Sequence, residues 1–420
     1  MSILIKNGHI LDPKSKIDLI GDLLIVDGKI AQIGVITETA DEIIDAKGMV
    51  VASGFIDAHI HLRDPGFTHK EDILTGTDAA AAGGFTGVAC MPNTKPCIDS
   101  VETIKYILDK AKTAKARVYP IACITKGMQG EELCDYSQLI KAGAVGISDD
   151  GRPVENAAKM QSAMEIAYKN HFPIISHCED LNIINGGIIN KGEVSEKLGV
   201  KGMDRTSEDS ITAREIAIAA ATDTAIHIAH VSTKGSVALI RDAKARGVKV
   251  TCETAPHYMI FTDKELLKQN ANYRMSPPLR EEEDRLAIIE GVRDGTFDMI
   301  STDHAPHSKE EKSDFFKAPN GIIGLETSFA ACYTALVAAK IISLERLITM
   351  MSVNPAKLLN VSGGSLEVGQ RADVTIFNDD KWVVTEENLH SKSKNSPFIG
   401  MELTGMVHYT IMNGNITFKR

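Results

Sequence analysis

The chain has no CxxC pair, no internal repeat, no low-complexity tract and no Pro-rich linker, and it lacks an excess of positive charge. Against 46 Lys and Arg stand 56 Asp and Glu, a net charge of −10. That balance disfavours generic binding to nucleic acid or to anionic membranes. No uncharged run reaches the roughly 18 residues that a bilayer span requires, and the start MSILIKNGHILDP has no basic stretch followed by an apolar one. The seven cysteines are odd in number and scattered, which suits small buried hydrophobes in a reducing compartment. A soluble, cytoplasmic protein is the expectation. A content of 43% apolar and 24% charged residues over 420 rules out wholesale disorder and leaves room for one large domain with a small one beside it.

The first fifty or so residues alternate apolar and polar between turn signals, as in DLLIVDGKIAQIG, and predict short antiparallel strands. After Gly54 the pattern changes to short apolar runs, each followed by a segment of helical period. Eight such runs begin at Phe55, Thr86, Arg117, Ala144, Pro173, Ala225, Val248 and Asp298. Eight βα units predict a closed barrel of the TIM type. From Gly363 strand-like text returns, so the two chain ends are expected to build one small β-sandwich domain, 1–53 with 363–420, around a barrel at 54–362.

In a βα barrel the working groups stand at the carboxyl ends of the strands. Here the first strand ends in His59 and His61, which a period of two places on one face. The fourth closes with Asp149 and Asp150, the fifth with His177, the sixth with His230 and the eighth with Asp303. Singly, each has an ordinary explanation as a core histidine or a turn cap. Together at one mouth, four imidazoles and two carboxylates suit zinc or a similar divalent ion, and suffice for two ions with open positions. His227, three residues before His230, is expected on the opposite side of its strand in a structural role. No spacing selects His69 or His257.

GFIDAHIHLRDPG from Gly54, MPNT at Met91, ISDDG at Ile147, ISHCE at Ile175, AHVST at Ala229 and STDHAPH at Ser301 together resemble the amidohydrolase superfamily. More narrowly, they are similar to the bacterial type I dihydroorotases, over nearly the whole chain. The resemblance implies a βα barrel with a composite β domain and two zinc ions: His59 and His61 on one, His177 and His230 on the other, with Asp150 and a hydroxide bridging them and Asp303 completing the site. It implies reversible hydrolysis of the cyclic amide of dihydroorotate to carbamoyl aspartate, a step of pyrimidine synthesis. In that reaction Asp303 serves as base and then acid. Arg63 offers a bidentate fork for the substrate carboxylate, a role that the family shares between Arg63 and Asn93. His307 adds a donor from a loop.

Two positions depart from the family pattern. SPPLR at Ser276 stands where NPPLR is common, and APNG, with Asn320 and Gly321, where APFG is common. Both fall in substrate-contacting regions, so the hydrogen bonds to the ring are the less secure part of the site. Hydantoinases and allantoinases carry a carbamylated lysine at the fourth strand's end, whereas this chain reads ISDDG there. Those two activities remain the alternatives within the superfamily. A non-catalytic subunit supporting aspartate carbamoyltransferase is the alternative outside catalysis, and a homodimer is the expectation for an active enzyme.

Overall fold

The computed structural model describes residues 2–420. Eight parallel barrel strands follow one another: Phe55–Ile60, Phe85–Cys90, Arg117–Ala122, Gly146–Ile147, Ile175–Ser176, Ile226–Ile228, Val250–Thr254 and Met299–Ile300. Each coincides with one of the eight apolar runs. The first four pair in sequence, as do the last four. Single parallel bridges, Ile147 with Ile174 and Ile60 with His304, join the two halves and close the ring. Side chains alternate along a strand, so Ile56, Ala58, Ala89, Tyr119, Ile121, Ile175, Ala229 and Met299 fill the interior as one apolar cluster.

Local chemistry sets where the outer helices begin. The helix Ile73–Ala82 starts at Asp72, whose carboxylate accepts from the backbone N–H of Leu74 and Thr75 at 2.9 and 3.1 Å. It ends at Gly83 and Gly84. The second glycine has φ +89°, and a Cβ there would stand 2.9 Å from the Phe55 ring. Thr233 caps Lys234–Ala245 in the same manner.

The chain ends form one continuous sheet. Strands Ser2–Asp12, Ile17–Val26, Lys29–Gly34, Glu42–Asp45 and Val50–Ser53 join Val374–Val383, Glu402–Met412 and Asn415–Lys419 over a core that includes Ile3, Ile25, Val51, Val374 and Ile411. The expectation of antiparallel strands fails at two pairings, because Ser2–Asp12 runs parallel to Glu42–Asp45 and to Val50–Ser53. Alternation reports that a strand has two faces and says nothing of its neighbour's direction. A bulge between Ile5 and Gly8 lets the halves of the first strand meet different partners.

Sheet and barrel are welded by aromatic rings. Phe55 of the first barrel strand stacks on Phe329 at 5.2 Å between centroids, and Phe329 lies 4.4 Å from Phe377 of the sheet. Such pairs contribute about 0.5–1.5 kcal/mol each beyond the area they bury. No helix among the described residues is long and apolar enough to cross a membrane. All seven cysteines are free and six are buried, as their scatter suggested.

The closure has its own hydrogen-bonded seam. Asp57, fully buried in the first strand, accepts from the backbone N–H of His59 at 3.0 Å and of Thr302 at 3.1 Å, tying the first strand to the end of the eighth. Asp57→Ala leaves both donors orphaned. It should lower unfolding free energy by about 2–6 kcal/mol, measured as a lower urea midpoint, and an unchanged midpoint would remove the seam from the account of closure.

Candidate metal centre and active site

The strand ends bring the predicted ligands to one place. Asp150 is the hub: its carboxylate lies 3.1 Å from His59 Nε2 and 3.4 Å from each of His61 Nε2, His177 Nδ1 and His230 Nε2. Asp303 Oδ1 stands 3.0 Å from His61 Nε2 and 3.7 Å from His59 Nε2. Adjacent Asp149 turns away and accepts from the backbone N–H of Ile124 and Thr125, so the paired aspartates divide between site and scaffold. His230, Asp303 and Arg63 have φ of +32°, +49° and +59°. Left-handed backbone at non-glycine residues costs about 1–3 kcal/mol each, and such strain gathers at functional sites.

Two trios, His59–His61–Asp150 and Asp150–His177–His230, present ligand atoms all within 4.8 Å of one another. Atoms bound to a tetrahedral ion at about 2.1 Å stand about 3.4 Å apart, which is the spacing seen around Asp150. His59 Nε2 and Asp150 Oδ1 are 3.1 Å apart, yet neither has a hydrogen-bond partner, so they converge on a point and are not aligned with each other. These residues fit a divalent cation. Electrostatics agree: burial opposes charge on Asp150, but positive charge at His59 and the contacts with His177 and His230 hold its carboxyl well below the usual range, a compensation that a bound cation would supply once the imidazoles are neutral. A third acidic group, Glu281, Glu283 and Asp284, is already matched by Arg205 and Lys234.

A layer behind the ligands fixes which nitrogen carries the proton. Glu253 Oε1 accepts from His59 Nδ1 at 2.8 Å, Asn93 Oδ1 from His61 Nδ1 at 2.8 Å, and Glu179 Oε2 from His177 Nε2 at 3.0 Å. Each bond leaves the opposite nitrogen as a lone pair aimed at Asp150. Glu253 and Glu179 were not selected by the sequence analysis, although Glu253 closes the apolar run from Val248 and an acidic residue at a strand end was the available signal. His227 keeps the structural role expected of it, with Nδ1 2.8 Å from Thr251 Oγ1 and Nε2 3.3 Å from Glu253 Oε2. His257 is buried with Nε2 unpaired, and burial lowers its pKa to about 4.

One cavity of about 200 Å³ is lined by His61, Asp150, His177, His230 and Asp303 together with Arg63, Asn93, Ser276, His307, Asn320 and Gly321. Of the residues selected from the sequence only His59 lies behind this lining. Arg63 donates Nε to Pro306 O at 3.1 Å, and it does not pair with Asp64, which is held by Lys110 and Tyr106. His307 Nε2 lies 2.9 Å from Asn320 O, and a carbonyl only accepts, so Nε2 carries the proton. Arg63 Nη2, 3.3 Å from that nitrogen, therefore has no acceptor there and is free for an anion. Burial lowers the Arg63 pKa to about 10, which leaves it charged at neutrality. Ser276 Oγ donates to Glu179 at 2.7 Å and Asn320 Oδ1 accepts from Arg274 at 3.2 Å, so both are engaged with protein partners beside the cavity.

A model of dihydro-orotase-like proteins matches residues 48–236, and a model of the amidohydrolase family matches 318–418. The dihydroorotase of Geotalea daltonii is 50% identical, with all of both chains covered, and that of Acetivibrio thermocellus is 48% identical over 99% of each. The chain belongs to the dihydroorotase family. Among solved structures, the L-hydantoinase (dihydropyrimidinase) of Arthrobacter aurescens superposes with a TM-score of 0.88 at 26% identity, covering 99% of this chain and 95% of that one. The dihydropyrimidinase of Brevibacillus agri NCHU1002 gives 0.87 at 24%, a likeness of fold. Membership in the dihydroorotase family agrees with the barrel, the composite sheet and a histidine–aspartate mouth able to hold metal.

If Glu253 fixes the His59 tautomer, Glu253→Gln should weaken metal binding about 10–100-fold. Competition against a chromophoric chelator would measure this. Affinity equal to the parent protein's would leave Glu253 a packing residue.

Proposed function

We propose that this chain is a dihydroorotase, hydrolysing the ring amide of dihydroorotate reversibly to carbamoyl aspartate, with two zinc ions as its cofactors. One observation carries the reading: a charged guanidinium, Arg63, with an uncommitted N–H group in the same 200 Å³ cavity as the two cation-binding trios. A ring amide bearing a carboxylate fits that pairing of hydrolytic centre and anion receptor. A neutral hydantoin ring would leave a buried cation unpaired, at a cost of several kcal/mol.

His59, His61 and Asp150 would hold one ion and Asp150, His177 and His230 the other, with Asp303 completing the set. Such ions polarise a carbonyl and lower the pKa of water from about 15.7 to about 7, which supplies a nucleophile at neutral pH. Arg63, with Asn93 beside it, orients the substrate carboxylate so that the amide carbon faces the trios. Asp303 takes the proton released as the carbon–oxygen bond forms and returns it to the ring nitrogen as the carbon–nitrogen bond breaks. Glu253, Asn93 and Glu179 keep the imidazoles from rotating while this occurs.

The hydantoinase reading has support in the fold neighbours. Against it stand Arg63 and the absence of a lysine in ISDDG at the fourth strand's end. A non-catalytic role fits poorly with six filled ligand positions that converge on one cavity. A cytoplasmic homodimer, and association with aspartate carbamoyltransferase, complete the proposal and are open to sedimentation measurements.

Arg63→Ala should reduce kcat/KM for dihydroorotate by about 30-fold or more, since truncating one partner of a desolvated charge pair costs 2–5 kcal/mol, with little effect on any turnover of hydantoin. Equal effects on both substrates would argue for a neutral ring. Asp303→Asn should lower kcat by about 10²–10⁴-fold, and a normal kcat would overturn its proton-transfer role.

A further inference from the structure

From Ser301 to Gly324 the chain leaves the eighth strand and returns with two isolated bridges as its only regular pairing. Loops this long in a compact domain are commonly functional, and this one carries Asp303 and His307 on its way out and Asn320 and Gly321 on its way back. Its returning limb forms one wall of the cavity. Gly321 is pressed against its neighbours: with φ +135°, a Cβ there would lie 2.9 Å from Ala305 O and 3.0 Å from His307 Nε2. Any shift of this limb would therefore move His307 and the space beside Arg63.

We propose that Lys312 is a positioning residue for substrate recognition, whose ammonium gathers the backbone carbonyls that hold this wall. Lys312 Nζ lies 2.9 Å from Gly321 O, 3.0 Å from Pro319 O and 3.3 Å from Arg274 O. Three N–H donors thus meet three carbonyls. Arg274 tightens the same knot, donating to Phe315 O at 2.6 Å and to Asn320 Oδ1 at 3.2 Å while its own carbonyl accepts from Gly321 N at 2.9 Å. Asn395 reaches in from the chain's far end to Gly321 O at 3.0 Å.

No carboxylate forms an ion pair with Lys312 among the described residues, so its burial is not offset in the usual way. Burial and the neighbouring Arg274 lower its pKa to about 7, against the pull of Glu311. The other facing group, His307, stays neutral at working pH, its pKa lowered to about 2 by burial and by Arg63, Lys70 and Lys312. Lys312 stands outside both metal trios and reaches the cavity lining only through the backbone of Gly321, so its loss should loosen substrate binding and spare the chemistry.

The inference rests on the proposed dihydroorotase reading. Its test is Lys312→Met in the full chain. KM for dihydroorotate should rise about tenfold or more, with kcat within about threefold and metal content unchanged. Parent KM should climb as pH rises through about 7, while that of the variant stays high and flat. Cleavage by a glutamyl endopeptidase after Glu310 or Glu311 should also quicken. An unchanged KM overturns the proposal, as does a fall in kcat accompanied by metal loss, which would make Lys312 a general structural residue. If the parent protein does not turn over dihydroorotate, the functional reading fails and the cleavage rate alone decides the clamp, with equal rates overturning it. Should Lys312→Met not fold, the same KM and cleavage measurements on Lys312→Gln decide, and values equal to the parent's overturn it.

Discussion

Asp150 is a fully buried carboxylate with four imidazole nitrogens between 3.1 and 3.4 Å from it, and the rest of the site is arranged around the need to keep that charge compensated. An isolated carboxylate in a protein interior is costly and is retained only with cationic partners. The imidazoles offer lone pairs there because Glu253, Asn93 and Glu179 hold their protons on the far side. Protons or metal cations are what such a constellation attracts, and divalent cations match its spacing.

The barrel supplies the rigidity this demands. Each ligand stands at or just beyond a strand end, and closure between the first and eighth strands is reinforced through Asp57, which bonds backbone of the segments that carry His59 and Asp303. The aromatic weld of Phe55, Phe329 and Phe377 fixes the base of the first strand to the terminal sheet. One limb of the cavity wall is built differently. At Asn320 and Gly321 it is irregular loop, held by side-chain donors to main-chain carbonyls from Lys312, Arg274 and Asn395. That limb rests on a support of its own, whereas Arg63 and Asn93 share the strand ends with the histidines.

Both supports bear on the two departures from the family pattern. Ser276 does not simply leave a gap where an asparagine would reach, because its hydroxyl braces Glu179 and through it His177. Asn320 gives its side-chain oxygen to Arg274 and its carbonyl to His307. Both positions influence the cavity through neighbours already bonded to it.

The sequence by itself determined the eight strands, since a run of apolar residues followed by helical period is a local property of the chain, and it singled out the six histidines and aspartates that gather at the mouth, since strand ends can be counted. Glu253 was legible by the same rule and passed over among apolar neighbours. What only the tertiary structure decided are relations between distant segments: the parallel neighbours of Ser2–Asp12, the sharing of Asp150 by four imidazoles, the place of His227, and the approach of Lys312 and Asn395 to Gly321. Period and composition report which face of an element is buried. Direction, pairing and the identity of a hydrogen-bond partner depend on closure in three dimensions, which brings together groups that no local pattern relates.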